Sequence, residues 1–263
     1  MKISIIISNY NKAKFLKKCL DSCISQNFKS FEIILVDDNS TDASKTILKK
    51  YKKKIKLLEI NKNFKNFTPA RRQFYALKKG FNASKGKIIC LLDSDDFFFK
   101  KKLKNINYIF KKKKINFLIN NFVGYRSNNQ KVYFKEKKKF YLGSIWPNNF
   151  QTSALSFKRD FFTKFIKITK GDNYKYLEID AKLVIFAHFY YNSLHRTHLF
   201  LSYWRLNSVE LSTITKKFTI NWFIKRKEAF EYVKFIMEKK NKKFIPSLDY
   251  YITTIINKII SFL

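Results

Sequence analysis

Over the first hundred residues the apolar positions follow two rhythms, short unbroken runs and stripes at helical spacing. The isoleucine-rich run at 3–7 stops on Ser8-Asn9-Tyr10-Asn11, as a strand covered on both faces stops at a polar loop. Leu16, Cys19, Leu20, Cys23 and Ile24 then recur at i, i+3, i+4, i+7 and i+8, which is one face of a helix. A second strand at 31–36 ends on Asp37-Asp38-Asn39-Ser40-Thr41-Asp42, where Asp42 or Ser40 can cap a helix carrying Ile47, Leu48 and Tyr51. Residues 55–60 read as a third strand, and Thr68-Pro69 has the cap-then-proline order that opens a helix running towards Gly80 or Gly86. A fourth apolar run follows Gly86 and breaks off on Asp93-Ser94-Asp95-Asp96. Strand and helix alternating from 1 to 110 predict βαβ units, hence an α/β domain with a mostly parallel sheet, helices on both faces and right-handed crossovers.

Beyond residue 100 the alternation weakens. Leu103, Ile106, Ile109 and Phe110 continue a helix, strands are predicted at 115–125, 132–134, 153–157 and 199–206, and 159–165 reads as helical. Glu178-Ile179-Asp180 precedes the apolar run Leu183, Val184, Phe186 and Ala187, which puts two carboxylates at a helix start, where the helix dipole favours their ionised form. A helical extension is expected over 219–240, with a shorter apolar helix over 248–263. The expected organisation is a first half at 1–100 that carries the acidic strand ends, a second half at 101–214 that forms an acceptor side, and the extension from 215 to 263.

The sheet should bring Asn9, Asp38, Asp93 and Asp95 to its carboxyl edge, where open α/β sheets bind ligands. Three carboxylates within four residues repel one another, and hard oxygen ligands of this kind suit Mg2+ or Mn2+. A solvated acidic turn that caps the next helix is the plainer alternative for one such cluster. Two acidic strand ends beside a polar first loop favour a nucleotide-and-metal pocket instead. The chain has five glycines, and neither a G-x-G-x-x-G nor a P-loop can be drawn from them. A Rossmann dehydrogenase and a P-loop kinase are therefore disfavoured.

Charge changes the picture more than composition does. The 263 residues hold 55 Lys and Arg against 19 Asp and Glu, a net +36, which points either to an anionic partner or to an A/T-rich coding bias that enriches Lys, Asn, Ile and Phe together. Cys19, Cys23 and Cys90 fall on predicted core positions, which fits a reducing cytoplasm better than a disulfide or zinc framework. The first apolar run is too short for a secretory signal, and no run reaches the length of a spanning helix.

Ser4 to Asn11, Val36-Asp37-Asp38-Asn39-Ser40-Thr41-Asp42 and Leu91-Leu92-Asp93-Ser94-Asp95-Asp96, at these spacings, resemble the inverting glycosyltransferases of family 2 with the GT-A fold. The resemblance covers about the first hundred residues. It implies a nucleoside-diphosphate sugar donor, with the main chain of Ser8 and Asn9 and the side chain of Asp38 near the base, Arg71 beside it and Asp93 near the ribose. Asp95 would hold the Mn2+ or Mg2+ that bridges the diphosphate. An acidic pair farther on supplies the base in that family. Glu178-Ile179-Asp180 resembles it with one extra residue between, which favours Asp180 as base over Glu178 and Asp172. Arg205-Leu206-Asn207 stands where Arg-x-His is usual, so Arg205 can meet phosphate while Asn207 replaces a usual metal ligand. The implied acceptor is a glycan or lipid-linked glycan of a bacterial surface polymer, such as capsule or lipooligosaccharide. The implied workplace is the cytoplasm or the cytoplasmic face of the inner membrane. Lys216, Lys217, Lys225, Arg226, Lys227, Lys234, Lys239 and Lys240, set among Phe218, Trp222, Phe223, Phe230, Phe235 and Ile236, suggest peripheral contact with anionic lipid, or else an ordinary core stripe with lysines outward.

Two other readings share these residues. A nucleotidyl- or phosphoryl-group transferase would also want carboxylates, a metal and a nucleotide pocket. A nucleic-acid-binding protein would use the lysine runs, although no recognised nucleic-acid module accompanies them.

Overall fold

A computed structural model of the chain describes residues 1–60, 64, 66–126, 130–134, 150–169, 174–206 and 218–262. Trp146-Pro147, Asp172, Asn207, Lys216 and Lys217 lie outside the described residues. The predicted βαβ units form as β1 (Ile3–Asn9), α1 (Ala13–Ile24), β2 (Phe31–Asp37), α2 (Ser44–Tyr51), β3 (Lys56–Glu59), α3 (Pro69–Ala83) and β4 (Ile88–Asp93). Pairing between β3 and β2, β2 and β1, and β1 and β4 is parallel throughout. The register sets Ser8 beside Asp93, and Asn9 beside Asp37, so the polar strand ends converge on one edge.

Then come β5 (Phe97–Phe98), α4 (Lys102–Lys112), β6 (Phe117–Tyr125), β7 (Lys131–Phe134), β8 (Leu155–Lys158), α5 (Arg159–Thr169), α6 (Ile179–Ile185), β9 (His195–Arg205), α7 (Ile220–Glu238) and α8 (Leu248–Ile260). The described strands make one nine-stranded sheet, ordered β3-β2-β1-β4-β8-β6-β9-β5, with β7 on β6. The second half is more mixed than the alternation implied, because β8 runs antiparallel to both β4 and β6, and β5 antiparallel to β9. The chain enters β8 from a short 3-10 turn at Thr152–Ala154.

The central strands β1, β2 and β4 are buried on both faces along most of their length, which explains their unbroken apolar runs. Ile3, Ile5, Ile7, Ile88, Cys90 and Leu92 point to the side covered by α1 and α4, while Ile6, Ile89 and Leu91 point to the side covered by α3, α5 and α6. The helix signals act much as read. Thr68 caps α3 with its hydroxyl accepting from Arg71 N, and Pro69 occupies the first turn. Asp42 serves two helices, accepting from Ser44 N and from Ala13 N at 2.9 Å each. Ser40 caps neither: its hydroxyl donates to Asp37 at 2.6 Å and accepts from Asn11 N at 3.0 Å, ahead of the first helix.

Gly86 stands where the chain turns into β4 with β1 against it. A Cβ there would lie 2.4 Å from Ser4 N and 2.8 Å from the Ile3 carbonyl carbon, both backbone atoms of a central strand. Gly86→Ala should therefore cost about 1–3 kcal/mol by overpacking. Urea denaturation measures it, and a variant as stable as the parent would show that β1 yields more easily than its burial implies.

Candidate active site

A cavity of about 680 Å³ opens at the carboxyl edge, a volume suited to a ligand larger than a mononucleotide. Ser8, Asn9, Asp38, Asp93, Asp95 and Asp180 line it, which brings together six of the eight residues singled out by sequence. Arg71 and Arg205 are not among its lining residues. Arg71 stacks on Phe67, with its guanidinium 4.3 Å from the ring. The lining includes its neighbour Arg72 instead, whose Nε donates to Asp38 Oδ2 at 2.7 Å and whose guanidinium lies 4.0 Å from the Tyr10 ring. Burial raises the Asp38 carboxyl, and the Arg72 hydrogen bond only partly offsets it.

Behind the first two strand ends lies a polar brace. Asp37 accepts from Asn9 Nδ2 at 2.7 Å and from Ser40 Oγ at 2.6 Å, fixing the β1 and β2 loops to each other. Asn11 and Asn39 sit at φ 50 and 55, a left-handed conformation that Asn tolerates better than most side chains. The Asn9 Oδ1 atom is buried and accepts no hydrogen bond among the described residues.

The Asp93-Ser94-Asp95-Asp96 turn distributes its three carboxylates differently. Asp93 Oδ1 accepts from Gln73 Nε2 at 2.7 Å. Asp95 Oδ2 meets Lys12 Nζ at 2.5 Å. Asp96, buried at the cavity lining, accepts from Ser153 Oγ at 2.6 Å and from Arg205 N at 2.9 Å. Burial first and then the Asp95 charge push Asp93 up to about 6, and the same two causes hold Asp96 well above the usual carboxylate range. Arg205 donates from Nε to the Asp95 carbonyl at 2.9 Å, so it clamps the turn's backbone.

Sequence reasoning did not anticipate Ser153 and Lys102. Ser153 accepts from Asp93 N at 3.0 Å through the hydroxyl that it donates to Asp96, and its carbonyl accepts from the fully buried Lys102 at 2.7 Å. Burial lowers Lys102 to about 8, with its ammonium 4.0 Å from the Phe98 ring and also bonded to Asn120 Oδ1 at 3.0 Å. The available signal was helical phase: Lys102 shares the face of Leu103, Ile106 and Phe110, the inward stripe of α4.

Asp180, which also lines the cavity, lies in the first turn of α6. Burial first and then the neighbouring Glu178 raise it to about 7, with Asp93 adding in the same direction. Glu178 is ion-paired to Lys225 of α7, and Glu228 of α7 accepts from the backbone of Lys175, Tyr176 and Leu177. The extension thus holds the segment that carries the acids, and Trp222, Lys225, Arg226 and Ala229 form a wall of the cavity.

The described residues contain no group of three or more His, Cys, Asp or Glu arranged to hold a metal. Two carboxylates facing a cavity nevertheless suit Mg2+ or Mn2+, which keep waters and take their remaining ligands from substrate phosphate. The Lys12 ammonium on Asp95 marks a position where positive charge is already favoured.

The model of glycosyl transferase family 2 matches residues 4–170. The chain belongs to that family. An uncharacterised glycosyltransferase of Haemophilus influenzae is 28% identical over 86% of this chain and 89% of its own length. The poly(ribitol-phosphate) β-N-acetylglucosaminyltransferase TarS of Staphylococcus aureus is 34% identical over 40% of this chain and 18% of its own length. Other curated relatives are likewise longer, the matches taking in 33%, 25% and 15% of three of them. Among solved structures, TarS residues 1–349 with UDP-GlcNAc gives a TM-score of 0.65 at 20% identity over 93% of this chain and 68% of that one. The Pyrobaculum calidifontis mannosyltransferase with GDP-Man and Mn2+ gives 0.59 at 13% identity over 93% and 65%. The fold is GT-A, and membership of family 2 favours sugar transfer over the phosphoryl-transfer and nucleic-acid readings.

A carboxyl raised in the folded state contributes stability below its unfolded pKa, and that contribution is lost as pH rises through the folded value. For Asp180 this window runs from about pH 4 to about pH 7. Asp180→Asn should accordingly gain stability relative to the parent as pH rises through that window, read as a widening difference in melting temperature. A difference that stays constant with pH would mean that Asp180 is solvated in the folded protein.

Proposed function

We propose that this glycosyltransferase moves a sugar from a nucleoside-diphosphate donor, of the UDP-sugar class, to a hydroxyl of a glycan or lipid-linked glycan, inverting the anomeric centre. The observation that carries this reading is that Asp93, Asp95 and Asp180 line a single cavity, with Asp180 raised to about 7. The proposed setting is synthesis of a bacterial surface polymer such as capsule or lipooligosaccharide, at the cytoplasmic face of the inner membrane. TarS, whose name specifies poly(ribitol-phosphate) as acceptor, supports the polymer class. Residues 1–100 act as the donor half and 101–214 as the acceptor half, while 215–263 braces the acid-bearing segment.

The donor's base is assigned to Ser8, Asn9 and Asp38, with Asn9 Oδ1 offering a buried acceptor and Tyr10 an aromatic face. Asp93 takes the ribose. Of the two adjacent arginines we assign the donor contact to Arg72, because it lines the cavity, and we give Arg205 a positioning role on the Asp95 carbonyl. Asp95, with Asp93 beside it, would hold Mn2+ or Mg2+, which when bound supplies Lewis-acid neutralisation of diphosphate charge. The mannosyltransferase structure with Mn2+ supports that choice.

Asp180 removes the proton from the acceptor hydroxyl as its oxygen bonds to the anomeric carbon. The bond from that carbon to the diphosphate oxygen breaks with its electron pair leaving on the diphosphate, and attack from the opposite face inverts the centre. A base titrating near the working pH combines ionisation with proton affinity, and such catalysis is worth about 10² to 10⁴ in rate. Glu178, held by Lys225, contributes charge that keeps Asp180 basic.

Incubation with a panel of sugar nucleotides and Mn2+, with NMR of the product's anomeric proton, tests the assignment. Transfer should vanish with EDTA and in Asp95→Ala. An undiminished rate in either case would remove the metal from the mechanism.

Asp180→Asn should leave donor affinity nearly intact and cut transfer by about 10² or more, with Glu178→Gln milder. In the parent, kcat/KM should rise with pH and level off above about 7. The reverse order of the two variants would move the base to Glu178.

A further inference from the structure

The helix α8 is mounted inside out. Its most buried positions are polar, Thr253 at 1% and Asn257 at 8% exposure, whereas Leu248, Ile252, Ile255 and Ile259 are 74%, 47%, 59% and 56% exposed. At about 100° per residue these four, with the exposed Tyr251 and Phe262, fall within an arc of about 100°. The polar edge is turned inward by specific bonds: Asn257 Nδ2 donates to Phe223 O of α7 at 2.9 Å, and Asp249 pairs with Arg226. An amphipathic helix on a globular core ordinarily shows the opposite arrangement. The apolar arc is thus fixed outward by the same contacts that dock the helix.

The surroundings are mainly basic, with Glu238 the exposed acid beside Lys239. Lys239, Lys240, Lys242 and Lys243 are exposed in the segment leading into α8, and Lys258 is exposed on its flank. Asp249 is the helix's one acid, and Arg226 neutralises it. A second copy of this face would bring lysines against lysines. A bilayer with anionic headgroups satisfies both halves of the surface, taking the aliphatic arc among its upper acyl chains and the lysines at its headgroups. No described helix is long and apolar enough to cross a membrane, so the fit is to the surface of one.

We infer that α8, with the Lys239 to Lys243 segment, is a docking face for an anionic lipid bilayer. The basic and aromatic helix α7, which sequence favoured for this role, buries Phe230, Tyr232, Val233 and Ile236 and links α8 to the cavity. Arg226 belongs to both surfaces, lining the cavity and holding Asp249. Docking would therefore set the cavity's α7 wall towards the membrane, where a lipid-linked acceptor is presented. That acceptor clause rests on the proposed transfer reaction, and the docking itself does not.

Co-sedimentation of the full chain tests it, using vesicles of phosphatidylethanolamine with phosphatidylglycerol against phosphatidylcholine alone. Binding should be confined to the anionic vesicles, fall with added salt, and drop by about tenfold in Ile255→Ser/Ile259→Ser and in Lys242→Glu/Lys243→Glu. Melting temperatures of both pairs should match the parent, because all four positions are exposed. The inference is overturned by absence of binding at low salt, by unchanged binding in both pairs, or by light scattering that reveals a dimer dissolved by the isoleucine pair. Mn2+-dependent release of free sugar from UDP-sugars without vesicles should be equal in all proteins. Its absence from every one would sink the transfer reading and leave the docking result standing.

Discussion

Carboxylates crowded at a buried sheet edge are the constraint around which the rest of this molecule is arranged. Asp93, Asp95 and Asp96 fall within four positions at the end of a strand with hydrophobic packing on both faces, and burial together with the Asp95 charge disfavours the ionised forms of Asp93 and Asp96. Each is met by a different part of the chain: Gln73 from α3 on Asp93, Lys12 from the β1 loop on Asp95, Ser153 and the Arg205 amide on Asp96. Elements distant in sequence are therefore tied together by the need to satisfy one short turn.

That need also explains the unusual burial of Lys102. A fully buried ammonium is costly unless its donors are used and charge lies nearby. Lys102 satisfies the condition with the Ser153 carbonyl, Asn120 and the Phe98 face, and it sits behind the acids that raise the local demand for a cation. Ser153 is the joint, bonded at once to Lys102, to Asp96 and to the amide of Asp93.

The cavity lining around Asp180 follows a different logic. Asp180 and Glu178 stand at the start of α6, whose dipole favours negative charge, while burial and the Glu178 charge oppose ionisation of Asp180. The balance leaves one acid paired to Lys225 and the other near neutrality in its titration. Because Lys225 and Glu228 both belong to α7, the geometry of this wall depends on a helix that comes after the last strand of the sheet.

What the sequence alone determined was whatever depends on local periodicity and punctuation. The runs at β1, β2 and β4, the Leu16 to Ile24 stripe and the Thr68-Pro69 cap are short-range signals, and the motifs at 8–11, 37–42 and 93–96 lie where parallel strands must end, so the acidic edge was legible before any coordinate. Which side chain faces the cavity was not, since it depends on the rotation of a helix about its axis and on partners thirty or more residues away. Hence Arg72 and not Arg71 meets Asp38, Ser153 and Lys102 stand behind Asp96, and the antiparallel β8 enters between β4 and β6. The same holds for α8: its sequence shows an apolar stripe, but only the packing against α7 decided that the polar edge turns inward and the stripe outward.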